Sequence, residues 1–206
     1  MRIFKSNYDE EYFNTFSERF SMENYFNKHK LRLIHSIKKS GSLLEIGCGR
    51  GLLLKKLKRD YLVKGIDISR SAIKSASKFI EKNRLKVMNI EESQINGRYD
   101  VILAFDVLEH LKNPKRAIIK IRNSLKKEGV LILSVPNNYG FFGKIITSYF
   151  NFIDRTHTST YEREKWISLL KENGFKIEEY NQSTFGISKR KFMKHLSFNL
   201  IVLCRK

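Results

Sequence analysis

Cysteine and proline are both scarce in this chain, with two of each among 206 residues. Two thiols, Cys48 and Cys204, cannot build a disulfide framework or a four-thiolate zinc site. They are expected to be small buried residues in a reducing compartment. So little proline, with 41% hydrophobic residues, excludes a disordered chain and points to one globular domain over residues 1–206. Long apolar runs are lacking too. The longest uncharged stretch, 129–143, is shorter than the ~18 residues a spanning helix needs, and Pro136, Asn137 and Asn138 interrupt it. The opening MRIFKSNYDEEYF carries acids where a signal peptide has an apolar run. A soluble, cytoplasmic protein is expected.

Acidic residues are also few: 21 against 40 lysines and arginines, for a net charge of +19. Such an excess attracts nucleic acid or an anionic membrane surface when it is clustered. Here the cations are scattered over most of the chain, at 55–59, 112–127 and 189–194. Scatter favours a solvated surface over a binding stripe, so nucleic acid is not the favoured partner.

What is there is an alternation of apolar strands and helical segments. Residues 1–40 read as a helical cap, with Tyr8, Tyr12, Phe13, Phe16 and Phe20 at helical spacings. Strands are predicted at 43–46, 62–68, 85–88, 99–105 and 130–135, with a last pair at 175–180 and 198–204. Helices are predicted at 52–59, 69–83 and 166–173. Another starts at Asn113–Pro114, with Gly129 just past its end. This order implies an α/β fold: a doubly wound, mostly parallel seven-stranded sheet with an antiparallel edge hairpin.

The strongest motif is LLEIGCGRG at 43–51, a strand running through Gly47, Gly49 and Gly51 into a helix. Glycines allow a sharp turn and close approach of a ligand to the main chain, and N–H groups at the helix start favour a carboxylate or phosphate. A dinucleotide fingerprint needs G-x-G-x-x-G, but Leu52 stands where the third glycine would fall. That counts against a nicotinamide cofactor. Asp67, in KGIDIS, ends the second strand twenty positions after Gly47. An acid there can accept two hydrogen bonds from ribose hydroxyls; its structural alternative is to cap the helix at Ser69.

The run E-x-G-x-G-x-G, the acid in GID, the segment FDVLEHLKNP and the ending GFKIEEY resemble the small class I methyltransferases, the type that methylates ubiquinone precursors and similar small molecules. The resemblance spans about residues 40–180 and implies a Rossmann-like transferase that uses S-adenosylmethionine. It further implies that Glu45 lies near the methionine moiety, with Gly47 and Gly49 packed under it. Asp67 matches the ribose acid and Ile68 an apolar residue against adenine. Asn89 and Ile90 align with a pair at the adenine edge, although the family usually has an acid where Asn89 stands. Phe105 is implied to lie close to the sulfonium.

At the mouth of the site, Asp106 and Glu109 fit a D-x-x-E capping box. His110 matches the histidine of the family's EH pair, and DRTHTSTYE resembles a loop whose histidine, here His157, faces the substrate. His110 and His157 are thus the acid–base candidates, each against the plainer reading of a structural residue. Asn137 and Tyr139 could orient a substrate. The segment 137–160 reads as a substrate-side insertion, with Phe141, Phe142, Ile145, Ile146, Tyr149, Phe150 and Ile153 on one helical face. Three roles compete for it: packing on the body, lining an apolar substrate pocket as a lid, or peripheral contact with a membrane. No metal cluster is visible. The expected function is methyl transfer to a small, apolar or lipid-like acceptor. The alternatives are an RNA or protein methyltransferase and a noncatalytic cofactor- or nucleic-acid-binding partner domain. Oligomeric state is left open.

Overall fold

A computed structural model describes residues 20–137, 158–159, 161–183, 186–189 and 199–206. The aromatic residues from Tyr8 to Phe16, the insertion's face from Tyr139 to Ile153, and His157 lie outside the described residues.

Helix α1 (Phe20–Ile37) precedes β1 (Gly41–Ile46), α2 (Leu52–Leu57), β2 (Tyr61–Asp67), α3 (Arg70–Ala76) and β3 (Leu85–Val87). Then come β4 (Tyr99–Phe105), α4 (Pro114–Asn123), β5 (Leu125–Pro136), α5 (Arg163–Glu172), β6 (Lys176–Ser183), β7 (Gly186–Ser188) and β8 (Asn199–Arg205). Among the described residues, all strands join one sheet in the order β3-β2-β1-β4-β5-β8-β6-β7. The first five are parallel, and β8 slots antiparallel between β5 and β6. The fold class is the expected one, with an eighth strand: the three-residue β7, which pairs antiparallel to β6.

The central strands are apolar throughout because both faces are covered. One face packs Leu43, Val63, Val101, Leu103 and Ile132 against Leu33 and Ile34 of α1 and Leu53, Leu54 and Leu57 of α2. The other packs Leu44, Ile66, Ile102, Ala104 and Leu131 against Ala117, Ile118 and Ile121 of α4 and Trp166 and Leu170 of α5. Local signals set the boundaries. Ser69 Oγ accepts from the Ala72 amide and opens α3, which ends at Ala76, short of the expected Asn83. Asn113 Oδ1 accepts from the Arg116 amide, with Pro114 at the first turn of α4. Gly129 closes no helix: it lies inside β5, where a Cβ would stand 2.8 Å from the Tyr99 carbonyl oxygen. Close approach of two backbones, not a helix end, requires that glycine.

At the amino-terminal edge of the sheet, Asp100 ties β4 to β1. It accepts from the Ser42 amide (2.9 Å) and hydroxyl (2.8 Å) and pairs with Lys126 (2.7 Å) and Lys38 (3.1 Å). Burial pushes its carboxyl upward, but these donors outweigh it and hold the group well below the usual carboxylate range. The opposite, carboxyl edge is the one where open parallel sheets bind ligands. Among the described residues, no helix is long and apolar enough to cross a membrane.

Candidate cofactor and acceptor site

The chain leaves β1 through three left-handed glycines, Gly47 (φ 69°), Gly49 (φ 50°) and Gly51 (φ 73°). An L side chain is disfavoured in that conformation, and at Gly47 there is no room for one either. A Cβ there would sit 2.4 Å from Val107 Cγ2. The amides of Gly47 and Cys48 both donate to the Ile66 carbonyl oxygen, at 2.8 and 3.1 Å. The bend is thereby fastened to the end of β2.

Asp67 is fastened there as well. Its Oδ2 accepts from the Gly49 amide at 2.8 Å and its Oδ1 from the Ser69 amide at 2.8 Å. Burial raises its carboxyl above the ordinary value, and the Ser69, Gly49 and Ile68 amides pull the other way. Ser69 rather than Asp67 caps the following helix, and Asp67 holds that cap in place. It orders the helix entry through Ser69, and each oxygen keeps a second lone-pair direction for a hydroxyl donor. Ile68, next in the chain, is an apolar side chain 53% exposed on this edge, beside a buried acid. A bend of glycines, an ordered carboxylate and a bare apolar face are the donor set that a nucleoside with an amino-acid tail requires, so the residues present fit S-adenosylmethionine.

Glu45 is buried in β1, registered between Gly65 and Leu103. Phe105, 9% exposed, ends β4. The Met88 amide donates to the Asp67 carbonyl oxygen at 2.8 Å, so the chain after β3 leaves beside Asp67. There Asn89 Oδ1 accepts from the Glu91 amide at 3.0 Å and Ile90 is buried in the core. Cys48 lies under the bend. Burial and then the Glu45 and Asp67 carboxylates push its thiol far up, and burial does the same at Cys204. Both stay inert thiols.

The expected capping box does not form. Residues Leu108–His110 make only one 3-10 turn, whose N-cap, Val107, has no side-chain cap. Glu109 is buried, and its carbonyl oxygen accepts from the Thr158 and Ser159 amides at 2.9 and 2.8 Å. His110 ends that turn, half-buried. Asp106 instead turns across the sheet to Ser134 and Asn199, at 2.7 and 2.9 Å.

Sequence reasoning missed several groups at this edge. Lys30 of α1 lies 4.3 Å from the centroid of the Phe105 ring and 3.6 Å from Asp106 Oδ2. No local pattern marks it; only the packing of α1 brings it here. Arg163, 2% exposed, donates to Glu179 Oε2 (3.2 and 2.8 Å), Asn137 Oδ1 (3.0 Å) and Asn181 Oδ1 (3.2 Å). Asn137, expected at a substrate, is thus engaged by Arg163 and buried. A groove along α5 and β6, lined by Arg163, Glu164, Ile167, Ser168, Lys171 and Glu179, contains none of the bend residues. Among the described residues, no group of three or more His, Cys, Asp or Glu could hold a metal ion.

A family model described as a methyltransferase domain matches residues 18–180. The chain belongs to this methyltransferase family. It is an S-adenosylmethionine-dependent methyltransferase. The ubiquinone biosynthesis O-methyltransferase of Rickettsia typhi is 25% identical over 177 residues, 79% of this chain and 71% of that protein. The protein of the same name from Pelagibacter ubique is 28% identical over 193 residues, 85% of this chain and 78% of that one. Among solved structures, a methyltransferase from Thermotoga maritima superposes with a TM-score of 0.77 at 17% identity, covering 96% of this chain and 97% of that one. The N-methyltransferase NodS of Bradyrhizobium japonicum, in complex with S-adenosylhomocysteine, gives 0.65 at 19% identity, covering 89% and 87%. At these identities the methyltransferase shares the fold with both.

Proposed function

We propose that this methyltransferase transfers a methyl group to a hydroxyl oxygen of a small, apolar or lipid-like acceptor. The observation that carries the reading is the geometry at the ends of β1 and β2, where the Gly49 amide and the Asp67 carboxylate form one cradle. The curated relatives, by name ubiquinone biosynthesis O-methyltransferases, support the choice of oxygen and of a small acceptor.

In this reading Glu45, Gly47 and Gly49 receive the methionine portion and Asp67 the ribose. Ile68 and Ile90 meet the adenine, Asn89 stands at its edge, and Phe105 lies beside the sulfonium. The cofactor supplies a methyl group already activated by its positive sulfur. The protein's own residues align the acceptor and exclude water, and such alignment is worth ~7–11 kcal/mol of a barrier. His110 and His157 are the imidazoles proposed to pass the acceptor's proton to solvent. We take residues 1–206 as one domain, with 1–40 as its cap and 137–160 as its substrate-side insertion.

Methyl transfer from labelled cofactor to a panel of hydroxylated aromatics, amines, carboxylates and RNA tests the reading. Labelling of the hydroxylated compounds is expected. Preferential labelling of RNA, with salt-sensitive RNA binding, would establish the alternative that the +19 charge suggests. Cofactor binding without transfer to any hydroxylated compound would overturn the hydroxyl reading.

A further inference from the structure

Asp106 takes no part in the cradle, yet its backbone is unlike that of any neighbour. Among the described residues it is the one non-glycine with positive φ, at 55°. That conformation is disfavoured for an L residue, although aspartate tolerates it better than most. Here it carries the side chain off the end of β4 and over the tops of β5 and β8. Oδ1 is locked there by two donors, Ser134 Oγ at 2.7 Å and Asn199 Nδ2 at 2.9 Å. Among the described residues, Oδ2 faces only the Lys30 ammonium, at 3.6 Å, beyond hydrogen-bond length. The side chain is 46% exposed, whereas Ser134 beneath it is fully buried. One oxygen is therefore fixed and the other is presented outward.

The strand order gives this oxygen its place. The cradle occupies the ends of β2 and β1, Phe105 ends β4, and Asp106 leans to β5 and β8, the side away from Asp67. An acceptor attacking a methyl group above Phe105 must approach from that far side. We propose that Asp106 is the acceptor-binding carboxylate, whose Oδ2 takes the hydrogen bond, and then the proton, of the acceptor's hydroxyl. This rests on the reading of the site given under the proposed function. In the step, the acceptor's O–H bond breaks and its proton passes to Oδ2. The O–CH3 bond forms as the S–CH3 bond breaks, and that electron pair stays on sulfur. Asp106 then hands the proton to the imidazole relay already proposed, which returns it to solvent. The device selects acceptors that carry a proton on the nucleophilic atom and repels anionic carboxylates.

Asp106→Asn keeps a residue that accepts left-handed backbone and an oxygen for Ser134, but it cannot take a proton. Asp106→Gly removes the strain and the carboxylate together and serves as a folded control. S-adenosylhomocysteine affinity, binding of uncharged catechol to the loaded protein by calorimetry, and methylation of catechol are measured on each. Both variants are expected to bind S-adenosylhomocysteine within about threefold of the parent. They should bind catechol about tenfold more weakly, as loss of a charged hydrogen bond implies. Their kcat should fall about a hundredfold, with partial rescue in Asp106→Glu. Unchanged kcat in Asp106→Asn would overturn the assignment. So would equal losses of product affinity and turnover, which would move Asp106 to the cofactor's side, or a parent protein that methylates carboxylates alone. A parent protein that binds no S-adenosylhomocysteine would instead overturn the underlying reading of the cradle.

Discussion

The Gly49 amide donates to Asp67 Oδ2 across 2.8 Å, so the bend leaving β1 and the carboxylate ending β2 move as one piece. This bond adds a side-chain tie to the two main-chain bonds that the Gly47 and Cys48 amides make to Ile66. With it, the position of the Asp67 carboxylate is set directly by the main chain of the bend.

The ionisation of Asp67 couples to cofactor binding. Burial raises its carboxyl above the ordinary value in the free protein. Ribose hydroxyls donate to the ionised form and favour it, so binding lowers the value again and releases protons where the free group is still protonated. Affinity for S-adenosylhomocysteine is predicted to rise with pH through the raised value of the free carboxyl. Asp67→Asn should show a flat profile over the same range. Calorimetry in buffers of different ionisation enthalpy reads the proton release directly; its absence in the parent protein would refute the coupling.

At Gly47 two costs add. The backbone is left-handed and a Cβ would overlap Val107 Cγ2. Gly47→Ala is predicted to lower stability by about 2–4 kcal/mol in urea unfolding. The double variant with Val107→Ala should recover the overlap but not the backbone cost. Full recovery would mean that the conformation of the bend is unimportant.

Asp100 stabilises the closed edge of the sheet. Its folded value lies below the unfolded one, so its contribution is present above the unfolded carboxylate value, near ~3.9, and is lost as pH falls through the folded value. With Lys126 half exposed, screening reduces the effect. Asp100→Asn should cost about 1–2 kcal/mol at neutral pH and progressively less in acid. Equal losses at both pH values would contradict the ion-pair account.

Arg163 joins α5, β6 and the chain leaving β5 through one buried guanidinium. Arg163→Lys keeps the charge but cannot reach three partners with a planar fork. It should lower stability by about 2 kcal/mol while leaving S-adenosylhomocysteine affinity unchanged. A thermal midpoint equal to the parent's would show the network to be dispensable.

Much of the fold was legible because its signals are local. The apolar runs of β1, β2 and β4, the Asn113–Pro114 helix start and the Ser69 cap need no long-range information. The bend with Asp67 was legible for the same reason, since glycines and an acid twenty residues apart are a pattern in one dimension. Gly129 was misread because a glycine required by backbone approach looks the same, in sequence, as one closing a helix. Asp106 was misread because D-x-x-E is also a capping pattern, and only the sheet places Ser134 and Asn199 within its reach. Lys30 left no trace at all, since α1 meets Phe105 only after the chain has folded.

Isothermal titration of S-adenosylhomocysteine into the parent protein and Asp67→Ala tests the central claim most directly. Binding to the parent, weakened about tenfold or more by the substitution, is the predicted result. Equal affinity in the two proteins would contradict it.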